Sequence, residues 1–473
     1  MFARLKALAG CLLIICVLVI PTTFGLAFVK SPRQLATDEH PNIELFLAAT
    51  QNRIQAQQAL SEIEKKWRSG YAGMMWDLAR LLRPPSPRMF SFITLVQFLE
   101  KQTGQSFGQD LTKWNDWIWA QPYEPHPEYI YLKGVWYSQI DPRFENFFTR
   151  EAQSLIRLDE IEWGGVSVNG IPPLRYPKVL QADAATYLED NNIVFGISIN
   201  GSARAYPKRI LAWHEMALDR LGDLELTVVY CTLCGTVIPF ESESTQGHHS
   251  FGTSGLLYRS NKLMFDHETM SLWNTFQGTP VVGPLVGNNI RLTAHSVVTT
   301  TWKEWKSQHP ETTVLSLNTG HRRDYGEGAA YQSYFGTDDL MFQVSRTDDR
   351  LRNKDEVLVM HFNKANSTDS TQLAIANQFL ADKSVFNYQI ADKNIVVLTS
   401  EEGANRVYTS ETYQFNNFLN QQHIADTLGN TWEITEDELL LTTDSKVRLK
   451  RYPAQRAFWF GWYAQFPETL LIY

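Results

Sequence analysis

The feature that most constrains the fold of this 473-residue chain is an internal duplication in its second half. The stretch WKEWKSQHPET, starting at Trp302, parallels WFGWYAQFPET, starting at Trp459, with the same spacing of Trp, Trp, Gln and Pro-Glu-Thr. Three further pairs follow the same order: VFGISIN with VLVMHFN, LAWHEMAL with LAIANQFL, and Asp266 before Trp273 with Asp426 before Trp432. Repeated units commonly bury their apolar faces against each other. We therefore expect two related units, at about 188–320 and 351–473, packed as a pair.

Both predicted copies are rich in short apolar, β-branched runs bounded by turn residues, such as 193–199, 226–230 and 395–398. This pattern is typical of strands. The segment before them differs, because 31–155 contains several amphipathic runs of helical length, interrupted by a proline-rich break at 83–87. The sequence therefore predicts an α+β protein with a helical module at 31–155, followed by a duplicated, β-rich half.

The N-terminus predicts export. Arg4 and Lys6 precede an apolar stretch that carries no charge until Lys30. A stretch of this length can cross a bilayer, and the positive charges before it favour a cytoplasmic N-terminus. Residues 1–30 are either a retained signal anchor, which their length favours, or a signal peptide cut after Ala27. We expect this segment to hold a soluble, exported body at the membrane.

The charge balance and the cysteine count exclude two classes of protein. Forty-three Lys and Arg residues against 51 Asp and Glu residues give a net charge of -8, so no basic surface for nucleic acid is predicted. Of the four cysteines, Cys11 and Cys16 lie in the N-terminal apolar segment. The body therefore has one pair, Cys231 and Cys234, which is too few for a disulfide-dense scaffold.

The CxxC pair follows an apolar strand, where two thiols can converge. It could bind copper(I) or zinc, for which the nearest plausible further ligands are His214, Met264 and His267. It could instead be a redox dithiol, although a thioredoxin-like motif would open a helix and residues 235–238 favour a strand. It could also be a permanent disulfide that staples a loop outside the cytoplasm. We favour the metal site.

The duplication acts as an internal control for these residues. In the second copy, Ala376 stands opposite His214, and the positions of Cys231 and Cys234 fall near Thr399 and Glu402. Residues that both copies share are expected to support the scaffold. The chemistry is therefore expected in the first copy.

Several segments of the first copy resemble a bacterial family known as domain of unknown function 3179. They are GISINGSARAYPKRILAWHE, VVYCTLCGT, FGTSGLLYRSNKLMFDHETMSLW and 302–312, and the tail FWFGWYAQFPET also fits. The resemblance covers about 185–325 and the C-terminal tail. The family usually has YCPLCGT, whereas Thr232 replaces the proline here and both thiols remain. The resemblance implies no activity, but members look like exported or membrane-linked proteins.

These observations lead to one favoured function and two alternatives. We expect a protein tethered to the bacterial inner membrane, facing the periplasm or the cell exterior, whose CxxC unit binds copper or zinc for redox chemistry or metal handling. The first alternative is a thiol-disulfide oxidoreductase. The second is a non-enzymatic envelope protein with a structural disulfide, whose helical module binds a protein partner.

Overall fold

The protein has an α+β fold, in which N-terminal helices precede a β-rich region. The computed structural model describes residues 39–83, 86, 88–363 and 370–473. The predicted anchor at 1–30 lies outside these residues. Among the helices that the described ranges contain, none has both the length and the apolar character needed to cross a membrane.

The first part of the described chain is helical. They are α1 (Ile43–Ala48), α2 (Arg53–Glu64), α3 (Ala72–Leu81), α4 (Met89–Thr103), α5 (Leu111–Ala120) and α6 (Tyr129–Tyr137). The side chains of Asn42, Asn52 and Asp110 accept hydrogen bonds from the first-turn amides of α1, α2 and α5, as N-cap residues do. Gly104 ends α4 with a left-handed φ of 72°, which glycine adopts without a steric penalty.

The chain that leaves these helices enters the first β-rich region as two short strands, β1 (Gln153–Ser154) and β2 (Ile161–Trp163). The next ten strands are β3 (Leu174–Arg175), β4 (Val179–Gln181), β5 (Ile193–Ile199), β6 (Ser202–Pro207), β7 (Met216–Leu221), β8 (Leu224–Cys231), β9 (Thr236–Glu241), β10 (Glu243–Ser244), β11 (Gly247–His248) and β12 (Phe251–Tyr258). The region is completed by β13 (Asn261–Asp266), β14 (Leu272–Asn274), β15 (Thr279–Gly283), β16 (Val298–Thr301) and β17 (Thr313–Leu315), with helices α7 (Lys208–His214) and α8 (Trp302–Gln308).

The first region contains three larger sheets and the two-stranded ribbon β10-β11. The strand orders are β1-β15-β14-β13-β12-β2, β16-β5-β6-β17-β4 and β3-β7-β8-β9. β1 lies at one edge of the six-stranded sheet and β2 lies at the other. The helices that precede these two strands share one apolar core with this sheet. The helical part is thus joined to the first copy through a continuous interior.

A connection that contains the short helix α9 (Gln332–Phe335) leads to the second region. Its strands are β18 (Glu356–Asn363), β19 (Ser370–Ala376), β20 (Val385–Ile390), β21 (Lys393–Thr399), β22 (Asn405–Thr409), β23 (Phe415–Asn420), β24 (His423–Asp426), β25 (Thr431–Ile434), β26 (Glu438–Leu441), β27 (Arg448–Lys450), β28 (Gln455–Phe458) and β29 (Leu470–Ile472). Its helices are α10 (Asn377–Ala381) and α11 (Trp459–Gln465).

The two regions share one arrangement of strands. The order β16-β5-β6-β17 in the first matches β28-β18-β19-β29 in the second, and in each the last pair is parallel while the others are antiparallel. The indole of Trp305 donates to Thr312 Oγ1 at 2.9 Å, and that of Trp462 donates to Thr469 Oγ1 at 3.0 Å. The repeated Trp and Pro-Glu-Thr residues therefore have the same structural role in both regions. The unit boundaries 188–320 and 351–473 stay a prediction.

Candidate functional site

The CxxC motif forms the turn of a β-hairpin. Cys231 ends β8 and pairs with Thr236, the first residue of β9, so that the motif leads into a strand and not into a helix. Gly235 has a φ of 61°, a conformation that favours glycine at this turn. The turn brings the two Sγ atoms to 2.8 Å, and both thiols are free and buried.

The Cys234 thiol is enclosed by backbone and side chains from three segments. Its Sγ lies 3.5 Å from the carbonyl oxygen of Ser260 and 3.4 Å from Nδ2 of Asn261. A Cβ added to Gly461 in α11 would lie 3.0 Å from Cys234 Cβ and 3.3 Å from Sγ, so a larger residue there would have to push Cys234 aside. The amide of Phe458 donates to the Cys234 carbonyl at 2.7 Å. The second region thus packs directly on the CxxC turn.

The two thiols differ in acidity. Burial by itself raises the pKa of Cys231, but hydrogen bonds from the Cys234 thiol and from the backbone amides of Lys262 and Cys234 outweigh it, and the pKa is lowered overall. Burial and the neighbouring Cys231 raise the pKa of Cys234. A single thiolate on this pair therefore belongs on Cys231, with Cys234 protonated beside it.

A buried ion pair lies next to the thiols. Glu215 follows α7 in a left-handed conformation, with a φ of 56°, and its carboxylate is 2.9 Å from Lys262 Nζ. The hydroxyls of Thr232 and Tyr331 each donate to the same carboxylate oxygen, both at 3.1 Å. Lys262 also donates to the Glu215 carbonyl at 3.2 Å. One carboxylate thus connects the CxxC turn, β13 and the connection to the second region.

His214, a predicted ligand, makes its contacts elsewhere. Its Nδ1 lies 2.8 Å from the carbonyl oxygen of Pro172, and its Nε2 lies 2.6 Å from the hydroxyl of Tyr325. Since a carbonyl only accepts, Nδ1 carries the proton and Nε2 accepts from Tyr325. Burial lowers the pKa of His214 to about 4, so the ring is neutral at neutral pH. Both nitrogens are occupied, and neither is available to an ion at the cysteines in this arrangement.

Met264 and His267 lie in different surroundings in the fold. Met264 is buried on β13, in the same core cluster as both cysteines. His267 follows the end of β13, where its ring packs on Phe265 and its Nε2 lies 3.2 Å from an Arg175 nitrogen. Within the described ranges, the two thiols form no group with a third His, Cys, Asp or Glu ligand.

Sequence reasoning passed over the residues that do surround the thiols. Neither Glu215 nor Lys262 is among the residues that the sequence predicted around the thiols. The sequence did contain one indication of this grouping. Glu215, Lys262 and the CxxC lie in three different segments that carry the family resemblance. The structure brings these three segments together.

A short segment covers the site. The Tyr334 hydroxyl donates to the Leu233 carbonyl at 2.8 Å, inside the CxxC turn itself. The Phe335 ring lies 6.2 Å from that of Phe458, and Lys208 Nζ lies 4.1 Å above the Phe335 ring. Residues 331–335, which we call the cover segment, therefore separate the turn from solvent.

Comparison with known proteins gives one match. A family model described as "Protein of unknown function (DUF3179)" matches residues 168–469, well over half of the chain and both β-rich regions. No curated protein and no solved structure matches the chain.

Proposed function

We propose a function for this chain, which belongs to the family described as "Protein of unknown function (DUF3179)". In this proposal, Cys231 and Cys234 are a redox dithiol that interconverts with an intramolecular disulfide. The observation that carries this proposal is the 2.8 Å separation of two free Sγ atoms with opposite pKa shifts. A disulfide bond is about 2.05 Å long, so little movement is needed to close it.

The reaction would proceed by thiol-disulfide exchange with an external disulfide, either of a partner protein or of a small thiol compound. The Cys231 thiolate attacks one sulfur of that disulfide and releases the other as a thiolate. Cys234 then loses its proton and attacks the Cys231 sulfur, which releases the second thiolate. Two thiols of this chain become one disulfide, while the external disulfide gains two electrons and two protons. The reverse sequence reduces the site.

The proposed setting is the bacterial envelope. The segment 1–30 is predicted to tether the body to the inner membrane, with the thiols facing the periplasm or the cell exterior. Disulfides form and persist in such compartments, so oxidised partners would be present there. The helical module at 31–155 remains a candidate surface for a protein partner.

A copper or zinc site is the second candidate function. It is favoured by the lowered pKa of Cys231, because a thiolate is the form that binds metal, and by the presence of Met264 in the same core cluster. Two thiolates bound to one tetrahedral zinc at 2.3 Å lie about 3.8 Å apart, so the pair would have to open by about 1 Å. Redox exchange requires less rearrangement, and we rank it first.

The test is a redox titration of the full chain, with thiols counted by mass spectrometry after alkylation in denaturant, together with its metal content. We expect one two-electron transition that involves Cys231 and Cys234 and disappears in Cys231→Ser and Cys234→Ser. Thr232→Val, which keeps both thiols and removes only a hydroxyl, is the matched control and should retain the transition.

Three results would contradict the redox proposal. One is a pair of thiols that stays reduced at every potential. Another is a disulfide that only unfolding makes reducible, which would indicate a structural staple. The third is one equivalent of copper or zinc that is lost in both cysteine variants, which would establish the metal function instead.

A further inference from the structure

A second group of polar side chains lies at the end of β13, outside the CxxC turn. One ring nitrogen of His249 and one carboxylate oxygen from each of Asp266 and Glu268 all lie within 4.8 Å of one another. His249 and Asp266 are buried, whereas Glu268 is exposed. The three ligand atoms thus converge at a place that an ion can reach from solvent.

His249 has one ring nitrogen that is hydrogen-bonded and one that is not. Its side chain is only 3% exposed, and its Nε2 is held at 2.7 Å by Ser244 Oγ. Its Nδ1 is buried and has no hydrogen-bond partner. A buried polar atom without a partner destabilises a fold, so such atoms are uncommon where nothing binds them.

Asp266 has a scaffold role that both copies share. The Trp273 indole donates to its Oδ2 at 2.8 Å, and in the second copy the Trp432 indole donates to Asp426 Oδ2 at 3.0 Å. Each aspartate also stands opposite the first residue of the preceding strand, a phenylalanine in both copies. The ends of the two hairpins that meet at this phenylalanine–aspartate pair can therefore be aligned without an appeal to sequence similarity.

That alignment shows that the other two ligands occur only in the first copy. The residue two positions before the phenylalanine is His249 in the first copy and Tyr413 in the second, and each ring packs edge-on against the matching tryptophan, with centroids 5.0 and 4.7 Å apart. The residue two positions after the aspartate is Glu268 in the first copy and the exposed Leu428 in the second. The same scaffold thus carries ligands in one copy and none at these positions in the other.

We propose that His249, Asp266 and Glu268 bind a first-row divalent metal ion, of the class that includes Zn²⁺, Mn²⁺ and Fe²⁺. One imidazole and two carboxylates suit these ions better than they suit Cu⁺, which prefers sulfur. The amide of Ser250 donates to both Glu268 oxygens, at 3.1 and 3.0 Å, and so orients that carboxylate. Three protein ligands leave coordination positions open to water or to a substrate.

The test is Zn²⁺ binding by the full chain, measured by calorimetry and by equilibrium dialysis with elemental analysis. A Cys231→Ala/Cys234→Ala background prevents the thiols from contributing, so failure of the thiol proposal leaves this one intact. The decisive variant is His249→Tyr/Glu268→Leu. It replaces the two ligands with the residue types found at the matching positions of the second copy. His248→Ala, which removes the exposed neighbouring histidine, is the matched control.

We expect one Zn²⁺ per chain in the background and in the control, and an affinity at least about 100-fold lower in the double variant. Glu268→Gln, a change at an exposed position, should also weaken binding, which keeps the test valid if the double variant fails to fold. Absence of stoichiometric Zn²⁺ binding in the background would overturn the proposal. So would binding that survives in both ligand variants, or binding that depends on His248.

Discussion

At the scale of single residues, the chemistry of the CxxC pair depends on charges that do not belong to the motif. Burial and, last in size, the negative charge of Glu215 raise the pKa of Cys231, whereas the second thiol and backbone amides lower it. Lys262 is close enough to pair with that carboxylate, at 2.9 Å. The acidity of Cys231 is therefore a balance between hydrogen bonds on one side and burial with a nearby carboxylate on the other.

This balance predicts the effect of Glu215→Gln. Removing the negative charge should lower the pKa of Cys231 further, because the thiolate no longer faces a like charge. The thiolate fraction at neutral pH then rises, and the midpoint of the ultraviolet thiolate absorbance shifts to lower pH. Glu225→Gln, at the opposite end of β8 from Cys231, is the control and should leave the midpoint in place. An unchanged or higher midpoint in Glu215→Gln would show that this charge does not act on the thiol.

At the scale of elements, the cover segment decides whether a partner can reach the thiols. Besides the ring contacts of Phe335, it makes two hydroxyl hydrogen bonds to the site, from Tyr331 to Glu215 and from Tyr334 to Leu233. Each is worth about 1 kcal/mol, which is small compared with the stability of a domain. The segment can therefore open locally without unfolding the sheets beneath it.

The corresponding prediction concerns Tyr331→Phe/Tyr334→Phe. Loss of about 2 kcal/mol from the closed state should speed the reaction of the reduced thiols with a small aromatic disulfide by about 30-fold. The rings remain, so the packing is largely retained. Tyr388→Phe, in the second region, is the control and should react at the wild-type rate. Equal rates for the double variant and the control would mean that the segment does not limit access.

At the scale of the whole molecule, a buried ion pair joins the first β-rich region to the connection and to the second region. The Glu160 carboxylate contacts the Arg259 guanidinium in the turn between β12 and β13 and accepts from Ser345 Oγ at 2.9 Å. Arg259 also donates to the carbonyl of Ala464, in α11, at 2.9 Å. These four residues come from four separate parts of the chain, so the contact forms only when all of them are assembled.

Arg259→Met should therefore destabilise the protein strongly. It leaves the nearly buried Glu160 carboxylate with only the more distant Arg157 guanidinium, at 3.5 Å, so we expect a cost near the lower end of the roughly 3–5 kcal/mol typical of a broken buried pair. The free energy of unfolding in denaturant measures this cost. The double variant Arg259→Met/Glu160→Gln should recover part of it, because no unpaired charge remains. A double variant that is less stable than the single one would contradict this explanation.

The sequence alone determined what depends on local pattern. Helical and strand periodicities predicted the α+β order, the two Trp and Pro-Glu-Thr segments have matching hydrogen bonds, and the family assignment is confirmed by the match over 168–469. The convergence of Cys231 and Cys234 also followed from their spacing. These features are set by neighbouring residues along the chain, which the sequence displays directly.

Only the tertiary structure decided which side chains share a site. Glu215 and Lys262 are 47 positions apart in sequence yet form an ion pair beside the thiols, while His214, next to Glu215, is held by Pro172 and Tyr325 instead. The hypothesis that the cysteines bind a metal stays a prediction. In its present position, His214 is not one of the ligands. Contacts between distant segments depend on strand register and on the direction of each side chain, and a sequence pattern specifies neither across long separations.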